Sequence, residues 1–344
     1  MAVKKVGVLT GGGDAPGLNA VIRAVVVRLA KEGISTTGYL EGWKGVLEQK
    51  TQELRPDDVA GIVGEGGTII GSSRTNPFKN AERDVPRILD SLKALKLDAL
   101  VAIGGDDTLG VADKLYKAHK VNVVGVPKTI DNDLNATDFC FGFDTAVQRA
   151  TEAVDSLVTT ARSHRRVMVV EVMGRHAGWI AAYAGMASGA DWTLVPEKET
   201  DIDAMCEALK RSRAKGKLYG MVVVSEGAKL AGGEVLQTKE KDAFGHVRLG
   251  GIGEELAKII EKKTGLETRH VVLGHLQRGG SPTAWDRVLA TRYGLAAAEL
   301  VLKGDWGKMV ALKGSQIVAV PLSAAVGAPR TLDMEFFKLV ETFF

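Results

Sequence analysis

The 344-residue chain holds only two cysteines, Cys140 and Cys206, too few for a disulfide framework or a cysteine-ligated zinc site; a reducing cytoplasm is the compartment this suggests. No apolar run approaches the roughly 20 residues of a membrane span. The opening MAVKKVGVLTGGGD passes at once into a strand-like run, so neither a signal peptide nor a membrane partner is expected. Charge of one sign is scarce as well. The net value is +3, with Lys and Arg spread along the chain, which argues against nucleic acid as a partner and leaves the basic side chains to local anions. Also missing are the GK[ST] of a P-loop and the GxGxxG spacing of a dinucleotide site after the first strand, so a nicotinamide dehydrogenase is disfavoured.

Glycine, by contrast, is abundant: 41 residues without a collagen-like or low-complexity period. Val6–Thr10 reads as a buried strand and Gly11–Gly13 as its turn. Residues 19–31 read as a helix with Val21, Ile22, Val25, Val26 and Leu29 on its apolar face, closed by Gly33. The unit repeats as a helix over 82–95, a strand over 99–103, a GGDDT turn and a helix through Tyr116. A strand over 122–126 and a helix over 144–161 follow. Strands over 167–172, 218–224 and 270–273 then alternate with helices near 180–186, 203–212 and 253–263. Continuous apolar strands between helices predict an α/β fold, doubly wound, with mainly parallel sheets covered on both faces. The length allows two such domains. The polar stretch Ala228–Gly250, with Lys239-Glu240-Lys241, reads as an exposed hairpin or loop whose charges are solvated.

Several turns after strands carry residues suited to phosphate chemistry. Gly11–Gly13 with Asp14 let backbone N–H groups and a helix N-terminus approach a phosphate, the plainer alternative being a tight turn without a ligand. In IGGDDTLG, residues 103–110, an aspartate beside such a turn can hold Mg²⁺ against phosphate oxygens, and Asp106 is assigned that role. The alternative is helix capping by an aspartate or by Thr108. Asp107 is the anomaly, a second carboxylate turned toward an anion. PKTIDND puts Asp131 and Asp133 at a strand end, where a carboxylate can accept a sugar hydroxyl's proton during phosphoryl transfer. An Asn/Asp turn that satisfies its own backbone is the alternative there, weakened by Lys128 and Thr129 alongside. MGRH (173–176) and GHLQRGGSP (274–282) supply Arg175, His275 and Arg278 as cationic donors for a sugar phosphate. Ser281-Pro282 reads as the N-cap and first residue of a helix. His164-Arg165-Arg166 is a basic cluster or simply a solvated turn.

Taken together, GGGDAPGLNAVIR, GGTIIGSSR, IGGDDT, PKTIDND, VVEVMGRHAG and GHLQRGGSP, in that order from residue 6 to about 295, closely resemble the phosphofructokinase family. The last thirty or so residues carry no usable motif. The resemblance implies Mg²⁺-dependent phosphoryl transfer to the C1 hydroxyl of fructose 6-phosphate. It also implies a homodimer or homotetramer with shared active sites. Two α/β domains are expected: a larger phosphate-donor domain over 1–141 plus about 276–320, and a smaller sugar-phosphate domain over about 142–275. Carried over by motif, Gly13, Arg74, Asp106 and Thr108 would contact the donor phosphates or the metal, and Arg74 would neutralise charge on the transferring group. Asp131 would be the proton acceptor, with Thr129 and Asp133 near the reacting hydroxyl. Met173, Gly174, Arg175, Glu226, His275 and Arg278 would hold the sugar phosphate, Arg175 also serving catalysis. Arg166 and Arg269 match arginines that reach in from a neighbouring subunit.

Bacterial ATP-dependent members of the family have glycine where this chain has Asp107 and Lys128, and the paired change resembles the diphosphate-dependent branch. There the aspartate takes the space and charge that an ATP α-phosphate needs, while the lysine addresses the donor phosphates. Two like charges about 4 Å apart at an effective dielectric near 20 repel by roughly 4 kcal/mol, on the order of a thousandfold in binding. A related branch keeps the lysine, has glycine at the Asp107 position and uses ATP, so Asp107 is the deciding residue. Val27 and Val158 stand where allosteric members carry effector-binding arginines, which implies weak or absent control by ADP and phosphoenolpyruvate. The reading is a reversible, diphosphate-using enzyme between glycolysis and gluconeogenesis. Its alternatives are an ATP-dependent enzyme that tolerates Asp107 and a catalytically silent subunit that only binds sugar phosphate.

Overall fold

The computed structural model describes residues 3–230, 237–241 and 247–344. The chain begins with β1 (Lys5–Thr10), α1 (Leu18–Ala30), β2 (Ser35–Tyr39), α2 (Trp43–Glu48), β3 (Thr51–Leu54), α3 (Ala81–Ala94), β4 (Ala99–Gly104), α4 (Asp106–His119) and β5 (Val123–Pro127). The long α5 (Phe143–His164) leads to β6 (Val167–Val172), α6 (Trp179–Ala187), β7 (Trp192–Leu194), α7 (Ile202–Ala214) and β8 (Gly220–Ser225). After β9 (Gln237–Lys241) and β10 (Val247–Leu249) come α8 (Ile252–Thr264), β11 (Thr268–Val272) and α9 (Ala284–Lys303). The chain closes with β12 (Lys308–Lys313), β13 (Gln316–Pro321), α10 (Leu322–Ala325) and α11 (Met334–Glu341).

Among the described residues, one sheet has the order β13-β12-β5-β4-β1-β2-β3 and another the order β11-β6-β8-β7. The second is parallel throughout, and the first is parallel except at its two edges, β2–β3 and β12–β13. The expected α/β architecture with mainly parallel sheets is therefore present. Its cause lies in the strand sequences. Successive strand residues point to opposite faces, and here both faces are apolar. Val6, Val8, Val101, Ile103, Val124 and Val126 pack with α1 and α9 on one side, while Leu9, Leu100, Ala102 and Val123 pack with α2, α3 and α4 on the other. In the second sheet Met168, Val170, Val172, Met221 and Val223 face α5 and α6, and Val167, Val169, Val222 and Val224 face α7 and α8.

Strand order in the larger sheet reverses between β1 and β4: the chain leaves β1 toward β2 but leaves β4 toward β5. Loops at the carboxyl ends of strands flanking such a switch point diverge and leave a crevice, the usual ligand position in doubly wound sheets. The turns after β1, β4 and β5 are the motif segments GGGD, GDDT and KTIDND.

The pattern expected over 228–250 includes a real hairpin, β9 pairing antiparallel with β10; the solvation of Lys239, Glu240 and Lys241 lies outside the described side chains. One expectation is corrected. Ser281 and Pro282 do not start a helix; α9 begins at Ala284 and Thr283 is its cap. The Thr283 hydroxyl accepts from the Asp286 N–H at 3.3 Å and donates to Asp144 Oδ2 at 2.5 Å, and its N–H donates to Thr145 Oγ1. Capping thus falls to the residue whose hydroxyl is also tied to the start of α5.

Candidate active site

A cavity of about 250 Å³ opens at the switch point, lined by Gly12, Gly13, Arg74, the turn 105–108, Lys128, Thr129, Asp131 and Asp133. Arg175, His176 and Ala177 from the turn after β6, Arg278, and residues 325 and 327–329 complete it. The loops are cross-linked through their backbones. Gly11 N–H donates to Ile103 O, Lys128 N–H to Gly104 O, and Gly12 N–H to Ser73 O. Ser72 Oγ returns to Gly12 O at 2.6 Å, which fixes Arg74 beside the glycine turn.

Asp106 and Asp107 occupy the first turn of α4, whose N-cap is Gly105 without a side-chain cap bond. Neither aspartate nor Thr108 therefore caps the helix. Asp106 Oδ1 instead accepts from the Gly327 N–H at 3.1 Å, and Thr108 is buried in the notch beside Gly11 and Gly104. Both carboxylates gain from the positive end of the helix dipole.

Lys128 is only 4% exposed and donates to Gly13 O at 2.5 Å. Burial, and then the nearby charge of Arg278, push its ammonium down to about 8. In the TIDND turn, Thr129 Oγ1 accepts from the Asp131 N–H at 3.0 Å, and Asn132, at φ 52, accepts the Cys140 N–H through its side-chain Oδ1 rather than bonding within its own turn. The Asp131 carboxylate is thus released from turn duty, whereas that of Asp133 still accepts from the Thr129 hydroxyl and its own N–H. Asp131 is 5% exposed, and its Oδ1 is buried with no hydrogen-bond partner among the described residues. The Asp133 carboxyl is pushed up by burial first and by the charge of Asp131 second.

On the opposite side, Gly174 lies at φ 138, where a Cβ would come within 2.6 Å of Ala177 O, and Arg175 lies at φ 53. A left-handed arginine is uncommon, and such backbone concentrates at functional sites. Glu226 supports this turn by accepting the Arg175 N–H at 3.1 Å; burial, then Asp131, raise its carboxyl to about 7. Arg278 is 7% exposed and donates to Asp14 O, and a Cβ on Gly13 would lie 2.9 Å from its Nη1. The glycine is what admits the arginine.

The other expected residues sit elsewhere. Met173 and Gly174 adjoin the cavity in sequence without lining it, and His275 lines a neighbouring cavity with Arg149, Glu152, Ser156 and Leu276. Arg166 and Arg269 lie at the amino ends of β6 and β11, both paired with Glu267, at 2.8 and 2.7 Å. Strand rise puts them about 20 Å from the Arg175 turn. The sequence reading missed His176 and the segment 325–329. The contacts from 325–329 come from backbone and small side chains, so no residue type announced them; His176 stood inside the MGRH motif.

The donor set suits Mg²⁺ only together with a phosphate ligand. No cluster of three or more His, Cys, Asp or Glu suited to a metal occurs among the described residues, yet Mg²⁺ is usually held by one or two carboxylates plus substrate phosphates and water. Asp106 beside the glycine turn supplies such a carboxylate.

Residues 5–301 match the family profile described as phosphofructokinase. Over 343 residues, 99% of each chain, the sequence is 56% identical to a Streptomyces coelicolor protein named pyrophosphate–fructose 6-phosphate 1-phosphotransferase. It is 49% identical over 330 residues to the ATP-dependent 6-phosphofructokinase 3 of the same organism, covering 95% of this chain and 96% of that one. The fold superposes with a TM-score of 0.84 on the solved pyrophosphate-dependent phosphofructokinase from Nitrosospira multiformis, at 25% identity over 96% of this chain and 86% of that one. With motifs, topology and nearly the whole length in agreement, this chain belongs to the phosphofructokinase family.

Proposed function

We propose that the protein moves a phosphoryl group from diphosphate to the C1 hydroxyl of fructose 6-phosphate, giving fructose 1,6-bisphosphate and phosphate. The observation that carries this reading is the partnerless buried Oδ1 of Asp131, in one cavity with a glycine turn, Arg74 and Lys128. As the new O–P bond forms and the bridging O–P bond of diphosphate breaks, Asp131 accepts the proton of the C1 hydroxyl. Thr129 and Asp133 flank that hydroxyl. Gly13, Thr108 and Lys128 bind the donor, Arg74 and Arg175 face the charge spread over the transferring group, and Glu226, Met173, Gly174 and Arg278 shape the sugar-phosphate side. Mg²⁺ held by Asp106 would neutralise donor oxygens. The step is taken to be reversible, as the resemblance to the diphosphate-dependent branch implies.

Asp107 carries the donor choice. It lines the cavity beside Asp106, so a longer donor must place another phosphate against its charge. ATP is the second reading, favoured by the ATP-dependent relative at 49% identity. The division of labour follows the two sheets, a larger donor domain over 1–141 and about 276–320 and a smaller one over about 142–275. His275, in the same turn as Arg278, would join it in holding the sugar phosphate, while Arg166 and Arg269, too far from their own cavity, serve a partner subunit's site in a cytoplasmic dimer or tetramer. Incubating the pure protein with fructose 6-phosphate, Mg²⁺ and either diphosphate or ATP tests the reading. Fructose 1,6-bisphosphate should form with diphosphate, and formation with ATP alone would overturn the donor assignment.

A further inference from the structure

Gln277 is fully buried in the 3₁₀ turn Gly274–Arg278, yet it does not line the cavity to which Arg278 contributes. Its side-chain carbonyl accepts the Met173 N–H at 3.2 Å, and its amide donates to Gly274 O at 3.1 Å. The location gives these bonds their meaning. The carboxyl end of β6 is held on both sides, with Leu273 N–H on Glu171 O and Glu226 N–H on Val172 O. Met173 is the next donor on the β11 side, but β11 ends at Val272 and the chain turns away at Gly274, φ 48. The Gln277 side chain stands in for the strand carbonyl that is no longer there. Immediately afterwards Gly174 and Arg175 adopt their left-handed conformations.

From this geometry we infer that Gln277 is a positioning residue for the sugar-phosphate half of the site, locking the Met173–Arg175 turn to the turn that carries Arg278. The inference rests on the proposed function. Without the lock the Met173–Arg175 turn loses its register, while Arg278 stays tied to Asp14 O and the donor side, built on the other sheet, keeps its geometry.

Two variants test it by steady-state kinetics beside the wild type. Gln277→Met keeps the bulk and removes both bonds; the KM for fructose 6-phosphate should rise about tenfold, as expected for a buried N–H left unpaired, with the KM for diphosphate within about twofold. Gln277→Glu gives a signature that packing alone would not. A neutral carboxyl reproduces both bonds, its C=O accepting from Met173 and its O–H donating to Gly274, whereas the ionised form loses the donor. The ratio of variant to wild-type sugar KM should therefore lie near one at low pH and climb as pH rises. Equal changes in both KM values, a ratio that ignores pH, or a lowered Tm with unchanged kinetics would overturn the inference while an active wild type leaves the function standing. A wild type inert with both donors would overturn the two together.

Discussion

A buried acceptor oxygen with no partner costs on the order of 1–3 kcal/mol, and Asp131 carries one against the cavity. Under the proposed function that oxygen is reserved for the substrate hydroxyl, which gives the penalty a purpose. Asp131→Asn should lower kcat by roughly 10²- to 10⁴-fold, the usual worth of a positioned base, while both KM values stay within about twofold. Lys128 makes a prediction with a definite sign. Its ammonium, held down to about 8 chiefly by burial, is charged below that pH and neutral above it, so kcat/KM for diphosphate should hold below about pH 8 and decline above it. Lys128→Met should be weaker throughout and lack that alkaline limb. At this scale much of the cavity lining was legible in the sequence, because Asp106, Lys128, Asp131 and Arg175 are charged residues in short motifs that directly follow apolar strands. The released state of Asp131 was not legible, since only the structure shows Thr129 and Asn132 taking over the turn's hydrogen bonds.

Strands buried on both faces leave unbroken apolar runs, so β1, β4, β5, β6 and β8 could be read directly. The inner strand β2, paired with both β1 and β3, and the three-residue edge strand β7 could not. STTGY is mostly buried through hydroxyl side chains, a glycine and a tyrosine rather than an apolar run, and three residues are too few to show a period. The misplaced cap of α9 has a similar origin: Ser281-Pro282 fits the local rule, but Thr283 is the residue whose hydroxyl also reaches Asp144 across 139 positions of sequence. Thr283→Ala should therefore destabilise the protein by about 1–2 kcal/mol, the cost of a lost N-cap, whereas Ser281→Ala should stay within about 0.5 kcal/mol. Thermal or urea unfolding of the two variants compares them directly.

Across the whole molecule, the last residues join the two sheets past the cavity. Leu322 is in the core of the larger sheet, Gly327 holds Asp106, Arg330 donates through its N–H to Asp133 O at 2.7 Å, and Leu332, Phe337 and Val340 enter the core of the smaller sheet. No motif marked this strap, because it acts through backbone and position. The remote Arg166 and Arg269 frame the assembly prediction. Asp131→Asn and Arg269→Ala subunits, each nearly inactive alone, should regain roughly a quarter of wild-type activity after mixed reassembly, the statistical yield of intact shared sites in a two-fold dimer. Mixtures that stay inactive would mean that each chain's site stands alone. The central claim is that Asp107 sets the donor, and one measurement reaches it most directly: kcat/KM for diphosphate and for ATP at fixed free Mg²⁺, in the wild type and in Asp107→Gly. The wild type should prefer diphosphate by up to about a thousandfold, the upper size of one like-charge contact, and Asp107→Gly should narrow the gap by improving ATP. A wild type that prefers ATP, or a gap unchanged by the substitution, would contradict it.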